Sequence, residues 1–216
     1  MRKLLTKTGP PILVLPTLCE ALLPDLRGIE KRSLLGGEVD FACLTRFLYH
    51  RLSFFTGTPV TQMYQEIQSS MAMMIQLQQV HVNIALAALY QTISRLLGTD
   101  KCQGFVFKCA LPVKTEEELF QYAVQAERHA MVRVLSMARF FAAFWLGQYD
   151  EAAQYASKSF RAKTMQVSDI YHAYYYAITA MILARRGASE RQKWVDIAEL
   201  SLRTFRNLSD HSSWNW

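Results

Sequence analysis

Glycine and proline are scarce and unevenly placed, and their distribution constrains the fold more than any other feature. Four of the six prolines (Pro10, Pro11, Pro16 and Pro24) fall early, leaving Pro59 and Pro112 for the remainder, and only 9 glycines are present. Residues 60–97 contain neither. So few breakers favour long helices. One helix over 60–97 would reach on the order of 60 Å, so two antiparallel helices broken near Gln78–Gln79 are predicted, although no residue there forces the break.

Apolar spacing predicts the rest. After an irregular Pro-rich start over 1–17, residues 18–35 place Leu22, Leu23, Leu26, Ile29 and Leu34 near helical intervals. Gly36–Gly37 ends that helix, and Glu38 puts a carboxylate where the next helix dipole favours it. That helix carries Val39, Phe41, Ala42, Leu44, Phe47, Leu48 and Leu52 and stops before Gly57. Thr58 and Pro59 read as N-cap and first helical position. Residues 99–114 form a long connector without helical periodicity, in which Phe105, Val106 and Phe107 would pin the chain down. Thr115 with Glu116, Glu117 and Glu118 reads as a capped helix start, continuing to Leu146 with a bend near Arg128–His129. Further helices are expected over 149–160 and 168–186. A last one, capped by Ser189, puts Trp194, Ile197, Ala198, Ser201, Phe205 and Leu208 inward and Lys193, Asp196, Glu199, Arg203 and Arg206 outward.

Composition narrows the function classes. Hydrophobic residues make up 51% of the 216, which argues against disorder. The net charge of +6 invites nucleic acid, but the densest basic group is only Lys158, Arg161 and Lys163, too sparse for a phosphate-gripping stripe. The four cysteines (Cys19, Cys43, Cys102, Cys109) form no CxxC pair and no zinc spacing. Free thiols in a reducing, cytoplasmic compartment are expected. The uncharged stretch 67–94 is studded with Gln68, Gln76, Gln78, Gln79, His81, Asn83 and Gln91, which argues for helix contacts rather than a membrane span. Prolines also break the apolar run 11–15, so no signal peptide is expected.

The most specific local motif is Leu146-Gly147-Gln148-Tyr149-Asp150-Glu151-Ala152. It resembles the turn between the two helices of a tetratricopeptide repeat (TPR). Gly147 permits a tight reversal, Tyr149 fills space between helices, and Ala152 and Ala156 let backbones approach. Gly36-Gly37-Glu38-Val39-Asp40-Phe41-Ala42 is a weaker counterpart. The expected fold is therefore all-α, a TPR-like α-solenoid of stacked antiparallel helix pairs spanning 1–216 as a single domain.

The order of motifs carries a wider resemblance. A GDxxFA-type start at Gly37–Ala42 precedes the turn Gly57-Thr58-Pro59-Val60. Then come Gln91 with Leu96-Leu97-Gly98, the 146–152 turn and a Tyr/Ala-rich helix ending in Ala184-Arg185-Arg186. Lys193-Trp194 and His211-Ser212-Ser213-Trp214-Asn215 close the series. Over roughly residues 36–216 the chain resembles the helical region that follows the AAA-type predicted ATPase domain in large multidomain serine/threonine or histidine kinases. The resemblance implies a fragment of a larger signalling protein, with Trp214 and Trp216 meant for a further helix. It carries no catalytic residue over, since no P-loop, kinase glycine loop, HRD or DFG is present.

Other residues invite a site. His81, His129 and His172 lack metal-ligand spacing. Glu127-Arg128-His129 reads as a charged helix face rather than acid–base machinery. Tyr171, Tyr174, Tyr175 and Tyr176 could line a ligand groove but suit inter-helix packing better. Met71, Met73 and Met74 suit a core or an adaptable binding face. No catalytic, cofactor or metal site is expected. The function expected is a non-catalytic scaffold or regulatory relay that contacts protein partners or neighbouring domains of the same polypeptide, without nucleic acid. The alternatives are a stand-alone peptide-binding adaptor, for which the chain has few Asn (Asn83, Asn207, Asn215), or a small-molecule sensor with an aromatic pocket.

Overall fold

The computed structural model describes residues 11–99, 116–159, 167–187 and 190–211. Among them the protein is all-α, with nine helices and no strand: α1 Pro11–Leu35, α2 Val39–Phe55, α3 Val60–Gln76, α4 Val80–Leu96, α5 Glu116–Gln125, α6 His129–Trp145, α7 Tyr149–Ser159, α8 Val167–Arg186 and α9 Arg191–His211. The expected connector over 99–114 and the caps Thr115 and Ser189 fall outside the described residues, Thr99 excepted. So do Cys102, Cys109, Arg161, Lys163, Trp214 and Trp216.

One backbone device ends most of these helices. Gly37, Gly57, Gln78, Gly98, Glu127 and Gly147 all take positive φ, between 52° and 83°. In the first turn, Gly37 N–H donates to Leu34 O and Glu38 N–H to Ser33 O, the paired bonds of a left-handed C-terminal cap. The same pairs recur at Gln78 and Gln79, at Gly98 and Thr99, at Glu127 and Arg128, and at Gly147 and Gln148. The positions 37, 57, 78 and 98 are spaced by 20 or 21 residues, and 127 and 147 repeat the interval. Helices α2, α3, α4 and α6 are consequently 17 residues each.

The predicted break near Gln78–Gln79 is present, made by a residue with a Cβ rather than by glycine. The bend expected near Arg128–His129 is instead a full turn that separates α5 from α6, with Glu127 left-handed. Glu127 and Arg128 thus lie in the turn and His129 opens α6, so the charged triplet does not form one helix face. Helix α1 begins at Pro11, inside the stretch 1–17 expected to be irregular. Pro11 loses nothing at a first helical position, whereas Pro16 and Pro24 each remove one internal hydrogen bond. Pro59, not Thr58, is the residue before α3, because its ψ of 129° is extended.

Contacts within the chain cluster into two compact units, Met1–Glu118 and Leu119–Trp216. In the first, α1 packs on α2, α3 on α4, and α2 on both α3 and α4. Its core joins Cys43 to Met63, Ile67, Met71 and Met74 and to Leu86, Tyr90 and Ile93. Met71 and Met74 are fully buried, so those methionines fill a core rather than a binding face. The Tyr64 and Tyr90 rings stack 4.8 Å apart. Gln79 Nε2 donates to Asp40 Oδ1 at 2.7 Å, which brings the starts of α2 and α4 to the same end.

In the second unit α6 packs on α7, α7 on α8 and α8 on α9. Buried alanines make close approach possible: Ala152, Ala153 and Ala156 on α7, and Ala173, Ala177 and Ala180 on α8. Phe140, fully buried, anchors α6 against His172 at 4.9 Å between ring centroids. Arg186 Nη1 reaches Asp150 Oδ2 at 3.1 Å, tying the end of α8 to the start of α7. Ala198 and Ser201 are buried on α9 as its spacing predicts.

Candidate functional site

In the first unit a polar cluster fastens α1, α2 and α3 together. Glu30, only 4% exposed, accepts from Arg46 Nε. Arg27 pairs with Glu66 at 3.0 Å and lies over the Tyr49 ring at 4.1 Å. His50 Nε2 and Ser70 Oγ are 2.8 Å apart, and Ser70 donates its hydroxyl proton to Glu66 O at 2.9 Å. The serine oxygen therefore accepts from His50, which fixes the Nε2–H tautomer.

A serine–histidine contact suggests a nucleophile and its base, but this one has the wrong polarity. The serine proton points away from the imidazole, and both residues are buried. Burial, aided by Arg27 and Arg46, pushes the His50 pKa down to about 3. A base so weak does not poise a hydroxyl near neutral pH. The contact is a helix-to-helix clasp, and sequence spacing missed it because His50 and Ser70 sit on different helices.

The sequence-highlighted histidines do not converge. His81 on α4 and His129 at the start of α6 are exposed, while His172 on α8 is 1% exposed. Burial, with a contribution from Arg133, depresses the His172 pKa to about 3. Among the described residues no group of three His, Cys, Asp or Glu is placed to hold a metal. Cys43 is buried and unpaired.

The tyrosines of α8 divide into two sets. Tyr171 and Tyr176 are buried in helix packing, Tyr176 beside Phe140 and His172. Tyr174 and Tyr175 are half-buried and belong to a run of rings across three helices. Trp145 meets Tyr175 at 5.5 Å, Tyr175 meets Tyr174 at 5.3 Å, and Tyr174 meets Phe205 at 5.7 Å. Trp145, at 53% exposed, opens the outer end of the run. The four tyrosines expected as one cluster thus face different surroundings.

A furrow between α8 and α9 has a mixed apolar and charged lining. It has a volume of about 670 Å³ and is floored by Met181, Ala184, Val195, Ala198 and Leu202. Arg185, Arg186 and Arg191 stand where α8 ends and α9 begins, and Glu199 is the one acid among the described lining residues. Beyond this lining, at helical spacing along the same faces, Tyr174 on α8 and Phe205 on α9 are in ring contact. Lys158, first of the sparse basic group, instead lies 5.9 Å from the Phe120 ring and 5.5 Å from that of Tyr155.

Among the described residues no helix is long and apolar enough to cross a membrane. The chain matches no protein-family model, no curated protein and no solved structure. Fold class and surface are therefore the grounds on which a function can be argued.

Proposed function

We propose that the protein is a non-catalytic helical-repeat scaffold or regulatory relay, built of TPR-like stacked hairpins, that contacts protein partners or neighbouring domains within a multidomain ATPase–kinase signalling protein. The observation that carries this reading is the regular recurrence of left-handed helix ends, every 20 or 21 residues from Gly37 to Gly98. Near-equal helices joined by tight turns bury apolar faces chiefly by stacking on neighbours, which suits an extendable contact surface rather than an enclosed reaction site.

The unit repeat, from Gly37 to Gln78, is longer than the roughly 34 residues of a tetratricopeptide repeat. The difference follows from helices of 17 residues, so the likeness rests on turn chemistry and hairpin architecture. Support for a contact role comes from the exposed apolar residues Phe41, Trp145, Met181 and Leu202, which lie beside turns or grooves.

Immunoblotting of source-cell extract with an antibody against this segment tests the reading. A band several times larger than 24.8 kDa is expected. A band at that mass would overturn the multidomain part and leave a stand-alone peptide-binding adaptor.

A further inference from the structure

We infer that the α8–α9 furrow is the docking site for an amphipathic helix with carboxylates clustered at one end. This deepens the scaffold reading and rests on it. The furrow has the form such a ligand needs. Arg185 to Tyr174 on α8 spans about 16 Å at the helical rise, or three turns. An apolar stripe spaced i, i+4 and i+7 on a partner would lie along Met181, Val195 and Ala198, in the groove-filling mode of helix recognition.

Charge selects the occupant. Of the three arginines at the turn end, Arg186 is engaged by Asp150 and lies over Tyr149. Arg185 and Arg191 are exposed and have no ion pair among the described residues. Lys193 next to them is already paired with Glu190. The dipoles of α8 and α9 oppose one another at this end, its carbonyl terminus beside an amide terminus, so the guanidiniums set the sign of the field. A basic or neutral helix would leave those two charges unused, whereas Asp or Glu at one end of the ligand would meet them in fork geometry. The Tyr174–Phe205 contact stops the ligand at the opposite end and thereby fixes its register.

The test is selection of a displayed library of helical peptides, with apolar and charged positions varied, on the full chain. Enriched sequences should share the i, i+4, i+7 apolar stripe with Asp or Glu at one end. The consensus peptide should bind the Arg185→Glu/Arg191→Glu variant at least about tenfold more weakly. The Arg185→Lys/Arg191→Lys variant should recover most of the affinity, and Met181→Lys should lose it. All these positions are exposed, and circular dichroism checks that the fold is retained.

No enrichment, binders lacking acidic residues, or affinity unchanged by both variants would each overturn the inference. A wild-type dimer that Met181→Lys dissociates would overturn it too, by making the furrow an interface between copies. Cross-linking in source cells separates the two levels of the argument. Partners retained equally by wild type and the charge-reversed variant would refute the furrow and leave the scaffold reading standing. Absence of any cross-link, either to another protein or to a neighbouring domain of the same polypeptide, would refute both.

Discussion

Single residues carry this fold where they deny themselves the easier choice. Gln78 and Glu127 hold φ of 57° and 52°, a region that costs a residue with a Cβ about 1 kcal/mol. Gln78→Gly should therefore raise stability by about 0.5–1 kcal/mol, read as a higher urea midpoint, and Gly147→Ala should lower it by a similar amount. Asn83 is a second such place. Its side chain is 1% exposed, yet neither end of its amide has a hydrogen-bond partner among the described residues. Asn83→Leu keeps the volume and removes that desolvation cost, so a gain on the order of 1 kcal/mol is expected in the same assay. A loss on that substitution would mean that the amide is satisfied in solution.

At the scale of the element, helix length was legible where apolar spacing met glycine. Gly36–Gly37, Gly57 and Gly147 marked ends that the structure has. The Gln78 turn follows from the implausible length of one continuous helix, a size argument and not a residue signal. In sequence the Glu127 turn looks like no more than a bend, because no glycine announces it and Glu-Arg-His is unremarkable on a helix. Alanine placement was clearer: Ala152 and Ala156 were expected to let backbones approach, and both are fully buried. Ala156→Leu should thus force α7 away from its neighbours and cost about 1–3 kcal/mol in chemical denaturation. If it were neutral, the close helix approach would be wrong.

Across the whole molecule, each compact unit buries one histidine among the described residues, His50 in the first and His172 in the second. Both have pKa values pushed down to about 3, from an ordinary value of 6.5. Between those values the unfolded chain takes up the proton and the folded chain does not. Stability is therefore full above pH 6.5 and falls with acidification until pH 3. Well inside that window each histidine costs about 1.4 kcal/mol per pH unit. Urea midpoints should drop between pH 6.5 and 5, before most carboxylates titrate, and a His172→Asn variant should lose less over that interval. Equal losses would exonerate His172. The scattered cations lead to another expectation: at physiological salt a labelled DNA duplex should bind no more tightly than about 1 µM, the non-specific range.

The sequence alone determined the helical class, because scarce breakers and apolar residues at helical spacing act locally. It also determined most helix ends, since a glycine's conformational freedom is a property of that residue. Only tertiary structure decided which polar groups meet. His50 and Ser70, or Arg27 and Glu66, lie on different helices, and their pairing depends on how those helices are juxtaposed. The same holds for the tyrosines of α8. Their spacing says which face each occupies, but only the packing of the helices around α8 buries Tyr171 and Tyr176 and leaves Tyr174 and Tyr175 half in solvent. Local physics writes the helices, and burial, a non-local quantity, chooses the surface left to bind.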